Sequence, residues 1–325
     1  CDLEAMNPDA RLAAISASVT RLIRWSGEAP IVRSPRPTGH RARIKLNLDD
    51  GRAGFRAERS HDLVEITACQ AARPELQPLI TRLLSLPTED LRGYSAVELR
   101  TDGERACYAF TRIDKQKPDT DRLAPLGDVA VDGRRMHGDP TLWIPSGGRR
   151  LRASPLSFYQ VNLEVNELLV SHVNALVAEH GSERLIDLYA GIGNLGLGPA
   201  TARVPVVAVE REGQATSDLT ENARRAGANV TVKTAVVERF DLSREAFDVA
   251  LLDPPRQGAP GMLEKVFKNR PRLVVYVACD PTSAARDLKA LEANPDYSVR
   301  SVRLFDMFPD THHVETVIEI VRRKR

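Results

Sequence analysis

No apolar stretch in this 325-residue chain approaches the ~18 residues of a membrane span, and no basic-then-apolar signal segment opens it. Membrane proteins and secreted precursors are set aside on those grounds. Cysteine is scarce. Cys1, Cys69, Cys107 and Cys279 are too few and too scattered for a disulfide framework in a chain of this size, so the expected setting is reducing and cytoplasmic. Metal-type spacing is also lacking, and the adjacent His312 and His313 read as structural or substrate-contacting residues. A net charge of +2 points to no partner by itself. The chain opens on Cys rather than Met, and the expectation is that upstream residues have been lost.

What is present is ordinary globular composition, 42% hydrophobic and 28% charged, which excludes a disordered chain. "ARLAAISASVTRLIRW" (10–25) has helical apolar spacing. "RARIKLNLDDGRAGF" and "AVELRTDGERACYAFTRID" each alternate through an Asp-Gly turn and predict hairpins. From "SPLSFYQVN" onward, strand and helix patterns alternate, which implies a mostly parallel sheet covered on both faces. The expected fold is α/β, a doubly wound Rossmann-like sheet preceded by a smaller α+β domain. The boundary is set at 1–152 and 153–325, with Gly147-Gly148-Arg149-Arg150 as the joint. Basic residues cluster at Arg33, Arg36, Arg41, Arg43 and Lys45, with no acid between Glu28 and Asp49, and again at Arg149, Arg150 and Arg152. Such stripes suit phosphate contacts, although a solvated face is the commoner meaning of a charge run.

"DLYAGIGNLG" fits G-x-G-x-x-G through Gly191, Gly193 and Gly196. The glycines permit a tight strand-to-helix turn and close approach of a ligand, but the pattern is shared by dinucleotide enzymes and methyltransferases. Glu210 ends the next strand, "VVAVE", where a carboxylate can accept from both ribose hydroxyls. Asp253 ends a later strand in "LLDPPRQG", and Pro254 and Pro255 fix the chain beyond it.

"VVYVACDPTSAARD" delivers Cys279 from an apolar strand onto a helix start. The thiol is core filler, a metal ligand or a nucleophile. Asp280 as cap and Pro281 in the first turn place it beside a helix N-terminus, which favours thiolate. Glu315 enters the final strand, "VETVIEI". A thiolate and a carboxylate near a methyl-donor site suit the alkylation of an inert carbon such as carbon 5 of uracil. Thiolate addition at carbon 6 activates carbon 5, and a base then removes the carbon-5 proton. Cys279 and Glu315 fit these two roles.

"FYQVN", "DLYAGIGNLGL", "DPPRQG", "VACDPTSAARDL" and "DMFPDTHHVETV" follow one another in the order expected of the S-adenosylmethionine-dependent RNA uracil-C5 methyltransferases, the RumA/TrmA type. The chain resembles that family over residues 157–317, and "SPRPTGHRARIKL" and "GFRAERSHDLVEITAC" extend the resemblance into its first half. The resemblance implies S-adenosylmethionine as cofactor, with contacts from Gln160, Tyr189, Asn194, Glu210 and Asp253. It implies Cys279 as nucleophile, Glu315 as proton acceptor, and RNA as partner; no membrane is expected, and no protein partner is inferred. Tyr189-Ala190 stands where Phe-Cys is more usual in the family, and Asp280 stands where Asn is common. Cys1 and Cys69 resemble the last two of four ligands to a [4Fe–4S] cluster carried by ribosomal-RNA members. That points to 23S rRNA in preference to tRNA, with the cluster incomplete in this chain. The rival readings are a non-catalytic RNA-binding protein on this fold, and a nicotinamide enzyme resting on the three glycines alone.

Overall fold

The computed structural model describes residues 6–57, 60–113 and 120–323. Two compact units emerge: residues 1–35, 146–149 and 164–325 form one, and residues 36–145 and 150–163 the other. This differs from the expected single cut after residue 152. The N-terminal helix, α1 (Pro8–Leu22), and a two-residue strand, β1 (Ile31–Val32), go with the later residues because β1 pairs in parallel with a strand near the C-terminus. The expected joint at 147–150 is the turn of a hairpin between Leu142–Ser146 and Arg149–Ala153, and the unit boundaries at 145/146 and 149/150 flank that turn. Gly147 and Gly148 both have positive φ, the requirement of a two-residue turn between antiparallel strands.

The first unit is built on an eight-stranded sheet. After β1 come α2 (Leu163–His180), β2 (Leu185–Leu188), β3 (Val206–Glu210), α3 (Gly213–Ala226), β4 (Val230–Thr234), β5 (Val249–Leu252), α4 (Met262–Lys268), β6 (Leu273–Ala278), α5 (Pro281–Asp287), β7 (Tyr297–Phe305) and β8 (Glu315–Arg322). The spatial order is β1-β7-β8-β6-β5-β2-β3-β4. β2, β3, β4, β5 and β6 are mutually parallel, while β8 runs antiparallel to both β6 and β7. All four residues of β2 and β5 and all six of β6 are buried and, apart from Asp187, they are apolar or aromatic, as in a covered parallel sheet. Ile15 and Val19 of α1 join the same core.

The glycine turn after β2 does not lead into a helix. Residues 191–199 are a series of turns, since Gly196, Gly198 and Pro199 each disfavour helix there.

The second unit carries a seven-stranded sheet in the order Leu63–Glu65, Arg52–Arg56, Arg43–Asp49, Tyr94–Thr101, Ala106–Arg112, Val129–Val131, Arg134–His137. Both predicted hairpins are present, with Asp49 opposite Arg52 and Thr101 opposite Ala106. The helix Gln77–Leu84 packs Ile80 and Leu83 into this unit's core. Parts of the basic stripes have internal work here. Arg43 pairs with Glu98 at 3.2 Å and stacks 4.4 Å over the Phe158 ring, and Arg150 pairs with Glu104 at 2.6 Å.

Candidate active site

The parallel strands of the first unit all end on one edge of the sheet, and Tyr189, Glu210, Asp253 and Cys279 stand at or just beyond those ends. β2 gives way to Tyr189, which holds a left-handed φ of 63° and donates its hydroxyl to Glu238 at 2.8 Å. Gly191 and Gly193 follow, also with positive φ. A Cβ at Gly191 would meet open space, whereas one at Gly193 would lie 2.5 Å from Leu197 and 2.6 Å from Leu219. One glycine therefore faces a space that a ligand can fill, and the other is required by packing. Glu210, at the end of β3, accepts the Gly191 N–H at 3.0 Å through Oε2 and the Arg211 and Glu212 N–H groups through Oε1. The Asn194 side chain exchanges hydrogen bonds with Asn166 at 2.8 and 3.0 Å and accepts from Ser146 Oγ at 2.8 Å, so its amide braces the turn.

Two further carboxyls lie close by. Asp187, inside β2, accepts the Gly196 N–H at 3.0 Å. Burial, with Asp253 and Glu210 nearby, pushes its pKa up to about 8. Asp253, half-buried beyond β5, is raised to about 7 by desolvation. Asp187 was not singled out in the sequence, though an acid inside the apolar run "LIDLYA" was the available signal. An acidic, close-packed glycine turn suits a cationic ligand with a ribose, and the sulfonium and ammonium of S-adenosylmethionine meet that requirement. The residues present fit this cofactor. Gln160 belongs to the second unit and is buried there. Its segment is held by Tyr159, whose hydroxyl donates toward the carbonyls of Ala42 and Thr101, and by the buried Arg100 guanidinium, which donates to the carbonyls of Ser154, Pro155 and Ser157.

Strand register brings Cys279 and Glu315 together. Ala278 and Thr316 are the last antiparallel pair at the end of β6, and Cys279 and Glu315 are the next residues on each side, close enough for the carboxyl to act on the thiol. Glu315 is only 3% exposed, and its Oε2 has no hydrogen-bond partner among the described residues. Burial first, and then Asp253, hold its pKa well above the usual carboxylate range, with Arg256 opposing. Burial also pushes the half-exposed Cys279 thiol up to about 12; Glu315 and Asp253 add to the shift and Arg256 opposes it. The expected thiolate beside a helix N-terminus is therefore not what the free protein holds. α5 has only seven residues, its cap Asp280 is itself an acid accepting the Ser283 N–H at 2.8 Å, and burial, reinforced by the nearby carboxyls, outweighs the helix end.

Arg256, which the sequence does not single out, also meets His313 here, with Arg256 Nη2 2.6 Å from His313 Nε2; His313 is one of the two histidines read above as structural or substrate-contacting. The loop carrying Asp253 and Arg256 is tied down by Asp287, which accepts the Ala259 N–H and the Tyr276 hydroxyl, each at 2.6 Å.

This geometry coincides with clear relatives. A family model described as tRNA (uracil-5-)-methyltransferase matches residues 221–323. The 23S rRNA (uracil(1939)-C(5))-methyltransferase RlmD of Salmonella paratyphi A is 31% identical over 98% of this chain and 78% of its own length. RlmD of Klebsiella pneumoniae is 32% identical over 94% of this chain and 75% of its own. The chain belongs to the RNA uracil-C5 methyltransferases. Among solved structures, the tRNA (uracil-54, C5)-methyltransferase of Pyrococcus abyssi, in complex with S-adenosyl-L-homocysteine, matches with a TM-score of 0.82 and 25% identity. That match covers 98% of this chain and 85% of the other. The family's enzymes are S-adenosylmethionine-dependent, and the methyltransferase fold expected from the sequence is the one found. Membership disposes of the nicotinamide reading.

The cluster expectation fares differently. Cys1 lies outside the described residues. Cys69 is half-buried, and Cys107 is buried with its Sγ 3.4 Å from the Pro140 carbonyl oxygen. No group of three or more His, Cys, Asp or Glu among the described residues is arranged to hold a metal ion. These residues do not fit a [4Fe–4S] cluster, and no chemical step is assigned to one. No helix among the described residues is long and apolar enough to cross a membrane.

Proposed function

We propose that this methyltransferase acts on a uridine of 23S rRNA through a transient bond between Cys279 Sγ and carbon 6 of the base. Adding the sulfur to carbon 6 moves the ring's double-bond electrons toward oxygen 4, which makes carbon 5 nucleophilic. When bound, S-adenosylmethionine supplies an electrophilic methyl group; Gly191, Glu210 and Asp253, joined by Tyr189 and Asn194, are the residues assigned to hold it, on a turn whose packing requires Gly193. Glu315 then takes the carbon-5 proton, the Cys279–carbon 6 bond breaks, and the ring double bond returns. The target base has to leave its stack to reach the thiol.

The observation that carries this reading is the register that sets Cys279 against a buried Glu315 with an unpartnered oxygen. A carboxyl whose pKa is raised is the better proton acceptor once it ionises. The RlmD relatives support ribosomal RNA, and the likeness to a tRNA enzyme makes tRNA the second reading.

Glu315→Gln removes the acceptor but leaves the nucleophile. It should lower turnover by about 100-fold or more and accumulate a methylated covalent RNA–protein complex, seen on a denaturing gel with labelled methyl donor. Free turnover by this variant would refute the role. Label entering tRNA but not 23S rRNA would decide for the second reading.

A further inference from the structure

Nine residues, 306–314, join β7 to β8, and the catalytic pairing hangs from the end of that connection. Phe305 opposite Glu315 is the last pair of the β7–β8 ladder. Strand ends fray readily, so holding Glu315 against Cys279 requires something that restrains the loop. α1 supplies it, in the form of a buried arginine far away in sequence. Arg11 Nη2 lies 2.7 Å from Asp306 Oδ2, and Arg11 Nη1 donates to the Thr311 carbonyl at 3.0 Å. The two residues are 3% and 5% exposed. One guanidinium thus grips the first residue of the loop and its midpoint.

The chain of contacts continues toward the site. Thr311 Oγ1 accepts the His313 N–H at 3.2 Å and donates to the Phe308 carbonyl at 2.8 Å. The His313 ring meets Arg256. The Asp306 N–H is itself fixed by the Val32 carbonyl of β1 at 2.9 Å. Cys279 takes part in none of these hydrogen bonds; it follows β6 and leads into α5.

We infer that Arg11 is a positioning residue for proton removal: through Asp306 and Thr311 it sets the loop that presents Glu315. This inference rests on the proposed roles of Cys279 and Glu315. It separates two halves of the reaction, since bonding to the base needs Cys279, whereas release of the methylated product needs Glu315 in register.

Truncating Arg11 alone would leave Asp306 as a buried, uncompensated charge and endanger folding. The informative variant is therefore Arg11→Met with Asp306→Leu, which removes both charges together. Its fold is checked by S-adenosylhomocysteine affinity and thermal unfolding. Its chemistry is read in two assays: covalent trapping by RNA containing 5-fluorouracil, which needs no proton removal, and multiple turnover on ordinary RNA. Trapping should match the wild type, while turnover falls by about 100-fold, as for a misplacement of about 1 Å, and methylated adduct accumulates on ordinary RNA. Arg11→Lys, which keeps the charge and part of the donor set, should restore much of the turnover. Should the double variant not fold, Asp306→Asn is read by the same ratio. Wild-type turnover, or equal loss of trapping and turnover, would overturn the inference. A wild-type protein that fails to trap would instead overturn the proposed function, so the two failures are distinguishable.

Discussion

At the scale of single residues, the free site holds its nucleophile protonated. With the Cys279 thiol near 12, only a small fraction is thiolate at neutral pH, and that fraction grows about tenfold per pH unit until the pKa is reached. Because kcat/KM reports the free enzyme, its logarithm should climb with pH from roughly 7 to 9 without levelling off. A plateau already at pH 7 would show that another group supplies a preformed thiolate. Cys279 and Glu315 stand out in the sequence because each is a reactive type placed at a strand end, and the structure brings the two close together. Asp187 was less visible and Arg11 not at all. The partner of Arg11 lies near the opposite end of the chain, and nothing local to "DARLAAI" marks an arginine that will be buried. The thiol's protonation is hidden for a related reason: the capping helix is local and readable, but the burial that raises the pKa most, and the carboxyls Glu315 and Asp253 that add to it, come from the packing of other segments.

At the scale of elements, turn chemistry was readable where dipeptides demand a geometry. Both Asp-Gly hairpins form with strands close to those expected. Gly147-Gly148 obeys the same rule and forms a hairpin turn at a place where the chain passes from one unit to the other. The glycine turn after β2 was placed correctly, but a helix was expected beyond it that its own glycines and Pro199 prevent. Gly193→Ala tests how closely this turn is packed. The new Cβ would sit 2.5 Å from Leu197 and 2.6 Å from Leu219 on a residue at φ +95°. Crowding and left-handed backbone together should cost about 2–4 kcal/mol in urea unfolding. A loss below about 0.5 kcal/mol, the range of neutral surface changes, would contradict the packing described.

At the scale of the whole molecule, the N-terminal residues are part of the catalytic unit. α1 and β1 were assigned to the first domain because hydrophobic periodicity identifies an element without naming the sheet it joins, and a two-residue strand leaves almost no signal. The basic stripes were similarly ambiguous. Arg43 and Arg150 are engaged within the second unit, so contacts to RNA phosphates do not follow from counting arginines. The alternation of strand and helix after residue 157 was enough to give the sheet, and five ordered motifs were enough to give the family.

The central claim is that Cys279 bonds to the base while the methyl group moves. The most direct test supplies the enzyme with S-adenosylmethionine and RNA carrying 5-fluorouracil at the target, where fluorine replaces the proton Glu315 would remove. The account predicts a methylated protein–RNA complex that survives denaturation and maps to Cys279, absent from Cys279→Ala. A missing complex under conditions where ordinary RNA is methylated, or a bond at any other residue, would contradict it.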